Sequence, residues 1–230
     1  MTKPVCLVTG AGRGIGAATA EELNQRGWRL ALVSRTGSEL QSVCARCAEA
    51  IAIEADITRS AEVERAVDAT IAAFGRVDAA VNCAGSAPLA PIESTTDEQF
   101  RDAIDTNLAH VFYVTRALWP HFKRQKSGCI VNLSSFSSRD PFNGFGAYAA
   151  AKAGINLFSL VASREGAPHG IRVHVVAPGA VETQMLRQNF SEKVLPAQKT
   201  LAPSAVAKVI AQIVAGDLAC TSGEIIWVHR

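Results

Sequence analysis

A parallel α/β sheet of about seven strands, with helices on both faces, is the fold this sequence predicts, and two observations carry it. Short, almost wholly apolar runs alternate with longer helical patterns along the chain. The first of these runs passes directly into a glycine-rich turn, Gly10-Ala11-Gly12-Arg13-Gly14-Ile15-Gly16, and then into a helical stretch from Ala17 to Leu23. That order of strand, turn and helix is the one a doubly wound, Rossmann-type nucleotide-binding sheet requires.

Taken in chain order, strands are predicted at Pro4–Thr9, Arg29–Ser34, Ala50–Ala55, Val77–Asn82, Gly128–Ser134, Arg172–Ala177 and Glu224–Val228, with helices in the gaps. Runs such as Val77-Asp78-Ala79-Ala80-Val81 and Val173-His174-Val175-Val176 are mostly apolar and not alternating. Strands covered on both faces read this way. Right-handed crossovers and a reversal of strand order after the first strand place a ligand crevice at the strands' carboxyl ends. No internal repeat or low-complexity segment interrupts the pattern. The longest stretch without clear periodicity, Gln184 to Thr200, is read as a lid, and its Met185, Leu186, Phe190 and Leu195, with Phe142 and Phe145 upstream, suggest a pocket with apolar walls.

Composition narrows the function classes. A chain of 230 residues is predicted to form a single domain over 1–230 with a core of its own. A net charge of +2 with dispersed Lys and Arg offers no basic tract for nucleic acid. No run approaches the roughly eighteen apolar residues of a membrane span. The chain enters its first apolar strand within four residues of Met1, so no leader is expected and a cytoplasmic location is the default. Cys6, Cys83 and Cys129 fall in or beside buried strands and are read as free thiols. Cys44-Ala45-Arg46-Cys47 has redox or zinc spacing but no second pair or nearby histidine, and the five histidines are scattered, so no metal site is predicted.

Tyr148 and Lys152 stand four residues apart in a stretch that reads as helix, so they share one face. Bringing a phenol from pH ~10 to neutrality takes about 4 kcal/mol of phenolate stabilisation. One ammonium at roughly 5 Å, in an effective dielectric of about 20, supplies about 3 kcal/mol. The pair is thus able to act as a neutral-pH acid/base, although a core-facing ring beside a solvated lysine gives the same spacing. At the other end of the chain, the glycine turn allows a ligand close to the backbone and presents free helix-start amides to a phosphate. No Gly-Lys-Ser/Thr ending is present, so a dinucleotide fits better than a nucleoside triphosphate.

Together these motifs resemble the short-chain dehydrogenase/reductase family from Thr9 to about Val228. Thr9, Gly10, Gly14 and Gly16 are similar to its glycine signature, with Gly12, Arg13 and Ile15 inside the turn. Asn82-Cys83-Ala84-Gly85 resembles its Asn-Asn-Ala-Gly element, with cysteine in the second place. Asn107, Ser135, Tyr148 and Lys152 match its catalytic tetrad, Ser135 lying thirteen residues before Tyr148. Pro178-Gly179-Ala180-Val181-Glu182-Thr183 resembles its segment along the nicotinamide, and Asp56-Ile57 its adenine-contacting pair. The resemblance implies that Tyr148 donates a proton to a carbonyl reduced by hydride, that Ser135 holds the same oxygen, and that Lys152 also bonds the nicotinamide ribose. It implies a water held near Asn107 in a proton relay.

NAD enzymes place a carboxylate at the end of the second strand, on the ribose diol. Here the residues are Ser34-Arg35-Thr36, and an Arg35 guanidinium suits a 2'-phosphate. With Arg13 as a second cation, NADP(H) is the predicted cofactor. The substrate is expected to be a small-molecule ketone or secondary alcohol on an apolar or acyl chain. The nearest likeness within the family is to 3-oxoacyl-acyl-carrier-protein reductases, whose two basic carrier-docking positions correspond to Lys126 and His169. His169 departs from the family's arginine, which puts the acyl carrier protein in doubt as a partner. A homotetramer or homodimer is implied, though the chain ends at Trp227-Val228-His229-Arg230 without the Asp-Gly-Gly close common in relatives. The alternatives are a catalytically silent NADP-binding regulator of the same fold and, less favoured for want of a sugar-nucleotide domain, an epimerase or dehydratase.

Overall fold

The computed structural model describes residues 2–230. Seven strands form: β1 (Val5–Thr9), β2 (Arg29–Ser34), β3 (Ala50–Glu54), β4 (Ala79–Asn82), β5 (Gly128–Leu133), β6 (Ile171–Pro178) and β7 (Ile225–Val228). They make one sheet in the order β3-β2-β1-β4-β5-β6-β7, and every pairing is parallel. The helices are α1 (Gly14–Gln25), α2 (Gly37–Cys44), α3 (Ser60–Phe74), α4 (Asp97–Ile104), α5 (His110–Gln125), α6 (Gly146–Gly166), α7 (Gln184–Asn189) and α8 (Pro203–Ala215).

The strand sequences explain the two-faced core. Along β1, Cys6 and Val8 join the cluster that packs against α1, α2 and α8, whereas Leu7 joins the cluster under α3 and α5. β2 repeats the division, Leu30 and Leu32 on one side and Ala31 and Val33 on the other. A strand whose successive side chains point to opposite, equally apolar layers has no polar face to alternate. Helix ends follow local chemistry: α3 and α8 stop at Gly75 and Gly216, both with positive φ. At α4, Thr96 and Gln99 form a reciprocal capping box.

The predicted strand at Val77–Asn82 starts later, at Ala79. Asp78 lies just before it, its amide donating to the Val5 carbonyl at 2.8 Å and its carbonyl accepting the Cys129 amide at 3.0 Å, while its carboxylate accepts the Val5 amide at 2.9 Å and faces Arg76. The charged side chain thus caps the end of β1 at the bottom of the sheet. From β3 at the edge the chain returns through α3, along the face of β2 and β1, to β4 on the far side of β1, so the strand order reverses between β1 and β4. The crevice opens there.

Candidate active site

Local geometry makes the glycine turn a cradle. Gly10 has φ +64°, and a Cβ on it would lie 2.7 Å from the Ala84 backbone; a Cβ on Gly16 would lie 2.2 Å from the Gly10 carbonyl oxygen. Only glycine permits this packing of turn, helix and the β4 loop. Thr9 Oγ1 accepts the Ala84 amide at 3.3 Å and ties the ends of β1 and β4 together. Arg13, the residue before α1, puts no side-chain cap on the helix start. The first-turn amides of α1 therefore face a single cavity of about 1140 Å³ that runs from the glycine turn to the lid.

Every sequence-predicted site residue except Asn82 lines that cavity: the turn from Gly10 to Gly16, Ser34, Arg35, Asp56, Ile57, Ala84, Gly85, Asn107, Ser135, Tyr148, Lys152, Pro178, Gly179, Val181 and Thr183. Asn82 does not line the cavity. It points into the sheet interior, where Nδ2 donates to Asn132 Oδ1 at 2.8 Å, and Asn132 in turn donates to Ser159 Oγ at 2.9 Å. These bonds hold Asn82 away from the cavity, and Cys83, Ala84 and Gly85, beyond the end of β4, meet it instead. Asp56 is held ready by Thr58, whose hydroxyl and amide both donate to Oδ1 at 2.8 and 3.1 Å.

Asn107 sits in a wide π-type turn over Asp105–Ala109, between α4 and α5. Its side chain accepts the Ser86 amide at 3.2 Å and donates to the carbonyls of Ser86 and Ala103, both at 2.9 Å. The extra residue in the turn aims this fully buried amide at the loop after β4. A Cβ on Gly85 would lie 2.8 Å from its Oδ1, so that loop also requires glycine.

Tyr148 and Lys152 share one face of α6, and Ser135 lies two residues past β5 on the wall of the same cavity. The helical spacing is as predicted, but the lysine is neither solvated nor directed at the phenol. Lys152 is buried, lies 5.6 Å from the Tyr148 ring centroid and donates to the Leu133 carbonyl at 2.8 Å. Burial pushes its ammonium down to about 8. Burial also raises the half-buried Tyr148 phenol above its ordinary value, with the Ser135 hydroxyl pulling the other way. The expected lowering of the phenol by Lys152 is thus not seen here: low-dielectric packing penalises both charged forms.

Cys83 stands where the family has asparagine, and burial pushes its thiol up to about 12. Half-buried on the cavity wall, it stays a protonated thiol and is no nucleophile. All six cysteines are free, and no cluster of metal-binding side chains exists among the described residues.

The segment expected to act as a lid, Gln184 to Thr200, is a loop tied at its two ends. Its base is pinned where Val181 bridges Leu201, through Glu182 N to Leu201 O and Leu201 N to Ala180 O, both 2.8 Å. Arg187 pairs with Glu182 and donates to the Leu195 carbonyl at 2.8 Å, while Asn189 reaches across the cavity to the Ala87 carbonyl at 2.7 Å. Within it, α7 is a six-residue helix capped by Thr183. It is too short to show periodicity, which is why the sequence reads as irregular there.

Sequence reasoning passed over Glu39. Thr36-Gly37-Ser38-Glu39 has capping-box spacing, yet no cap forms at α2. Glu39 turns into the cavity instead, 3.6 Å from Arg13, which also donates to Gln184 Oε1 of the lid at 3.0 Å. The unused capping box is the only sequence signal, and it pointed elsewhere.

The sequence matches the short chain dehydrogenase family over residues 4–194. It is 35% identical over 200 residues to a 3-oxoacyl-[acyl-carrier-protein] reductase of Synechocystis sp., covering 85% of this chain and 81% of that protein. It is 32% identical over 236 aligned residues to 3beta-hydroxysteroid dehydrogenase 1 of Eggerthella lenta, covering 96% and 90%. Among solved structures, a 3-ketoacyl-(acyl-carrier-protein) reductase from Brucella melitensis complexed with NADH superposes with a TM-score of 0.93 at 28% identity, covering 99% of this chain and 97% of that one. A family match over most of the chain, with relatives aligned across most of their own length, makes the protein a member of the short-chain dehydrogenase/reductase family of oxidoreductases.

Proposed function

We propose that the protein is an NADPH-dependent carbonyl reductase, able to run in reverse as a secondary-alcohol dehydrogenase. The observation that carries this reading is the convergence of Asn107, Ser135, Tyr148 and Lys152 on the same crevice as the glycine turn. The cofactor, when bound, supplies a hydride to the carbonyl carbon. The chain's own residues do the rest. Ser135 and Tyr148 hold the carbonyl oxygen, and Tyr148 passes its phenolic proton to it. A phenol raised by burial keeps that proton at neutral pH, which is the state reduction requires. Lys152 fixes the base of the site through Leu133, and Asn107 braces the loop from Gly85 to Ser86.

The amides of α1 and the turn from Gly10 to Gly16 would hold the cofactor's pyrophosphate. Arg35 is exposed and makes no ion pair or hydrogen bond among the described residues, so its guanidinium is free for a 2'-phosphate. The substrate is a ketone on an apolar body. Sequence likeness supports a 3-oxoacyl thioester as one member of that class. Lys126 and His169, the positions compared with a carrier-docking pair, precede β5 and β6. They stand at the opposite end of the strands, about 20 Å from the crevice of the same chain. That placement does not favour carrier docking.

A homodimer or homotetramer goes with this reading, supported by exposed Phe112 on α5 and Leu157 and Val161 on α6, which form an apolar patch. A cytoplasmic location also goes with it, supported by six free cysteines. No helix is long and apolar enough to cross a membrane.

The decisive experiment is Tyr148→Phe. The variant is expected to bind NADPH as the parent does and to lose at least about a thousandfold in carbonyl reduction, because the ring stays and the proton goes. Near-parental turnover would refute the mechanism. Parent protein that binds NADPH and never oxidises it with any ketone would favour the silent regulator, and substrate turnover without net NADPH loss would favour an epimerase.

A further inference from the structure

Three phenylalanines from separate segments close into a triangle beside Tyr148. Phe142 lies on the loop after β5, Phe145 at the start of α6, and Phe190 at the end of α7 in the lid. Their centroids are 6.3 Å (Phe142 to Phe145), 5.3 Å (Phe142 to Phe190) and 6.0 Å (Phe145 to Phe190) apart. Phe145, only 6% exposed, stands 5.4 Å from the Tyr148 ring, and Phe142, 60% exposed, stands at the mouth. Aromatic surface therefore runs without a break from the proton donor to the solvent. The rings meet at steep angles, 89° between Phe145 and Phe190 and 79° between Phe142 and Phe145. An edge-to-face contact covers one ring face in each of these pairs, and Phe142 and Phe190, tilted at 50°, do not stack, so face area remains for a guest.

Charge in the same cavity is divided. Its cations are Arg13 and Arg35 at the glycine-turn end, and Lys152, which is bonded to Leu133. Beside the aromatic triangle stands Asp140, and Asp102 lines the wall formed by α4; both are exposed, and neither has a cation beside it in the cavity. A carboxylate or phosphate entering here meets like charge in a cleft with low-dielectric walls.

We propose that the substrate is an uncharged ketone carried on a rigid ring that packs against Phe142, Phe145 and Phe190, and that anionic ketones are excluded. The inference rests on the carbonyl-reductase reading and narrows it. The ring's carbonyl carbon is reduced by the cofactor's hydride, its C=O becomes an alcohol, and the oxygen takes the Tyr148 proton. A rigid body fits this wall without freezing the torsions that a long acyl chain loses on binding. An acyl group on a phosphorylated carrier arm has both liabilities, flexibility and negative charge.

The test is a matched panel with NADPH: cyclic and open-chain ketones of equal carbon number, each as neutral methyl ester and as free carboxylate. Ring ketones are expected to exceed their open-chain partners about tenfold or more in kcat/KM, and esters to exceed acids by a similar factor. Phe142→Ala and Phe190→Ala should collapse the ring-to-chain ratio toward one, and Asp140→Asn should narrow the ester-to-acid ratio. Equal kcat/KM for ring and chain in the parent would overturn the proposal. So would variants that lower both classes in proportion, because the triangle would then serve only to latch the lid. If no ketone is reduced at all, the underlying reductase reading has failed. Calorimetric binding to the NADP-loaded protein then decides the ring inference separately: tighter binding of rings supports it, and equal binding overturns it.

Discussion

At the scale of single residues, the cofactor end of the cavity is a balance of opposite charges. Arg35 is free, whereas Arg13 is shared between Glu39 and Gln184. Replacing a phosphate ligand by a like charge should cost more than relieving a competitor gains. Arg35→Asp is expected to weaken NADPH roughly a hundredfold or more while leaving NADH within about threefold. Glu39→Gln should strengthen NADPH by about two- to fivefold, since it removes a partly exposed rival for Arg13. Fluorescence titration of both cofactors into the three proteins checks this. A parent that prefers NADH would reverse the assignment of NADP, and unchanged NADPH affinity in Glu39→Gln would show that the Arg13 pair has no bearing on the phosphate.

At the scale of elements, the lid is the segment whose stability is set apart from the sheet. Its base is two backbone hydrogen bonds and the Glu182–Arg187 pair, to which Thr200 Oγ1 adds a bond of 3.0 Å. Only Val181 and Leu201 at the bridge reach the core; Glu182, Arg187 and Thr200 lie outside both clusters. Local opening therefore costs less than global unfolding. Glu182→Gln is expected to speed amide exchange across residues 184–199 by about threefold or more, with Tm moving by less than about 2 °C. Exchange that rises uniformly through β1 and β5 would show instead that the pair supports the whole sheet.

At the scale of the whole molecule, two histidines buried without charge make the fold acid-sensitive. Burial, aided for His110 by the Lys152 charge, lowers His110 to about 3; burial, aided by Arg172, lowers His174 to about 4. The unfolded chain titrates near the ordinary value of 6.5, so between there and the folded values the unfolded state binds more protons. Stability is therefore lost as pH falls below 6.5. Each histidine is expected to remove about 2 kcal/mol between pH 6.5 and 4.5. Urea unfolding of the parent and of His174→Asn at these two pH values checks the sign, the variant losing less on acidification; equal losses would locate the sensitivity elsewhere. Assembly belongs to the same scale. Leu157→Asp, on the exposed α5/α6 patch, is expected to shift the protein from a dimer or tetramer to monomer in light scattering, and a monomeric parent would remove the oligomer from the proposal.

The sequence alone determined the sheet, its approximate strand limits, the glycine cradle and the four residues that meet above it. These follow from short-range rules: apolar runs for doubly covered strands, glycine where a Cβ has no room, and a four-residue step along one helix. Where those rules ran out, long-range packing decided. The inward turn of Asn82 was set by Asn132 and Ser159, the diversion of Glu39 from its capping box by Arg13, and the raised Tyr148 and lowered Lys152 by the burial of α6 against β5. The aromatic triangle joins residues up to 48 positions apart, Phe142 to Phe190, which no local pattern connects. Side-chain direction and local dielectric depend on what the rest of the chain brings near. Only the tertiary structure supplies that, because both are properties of neighbours distant in sequence.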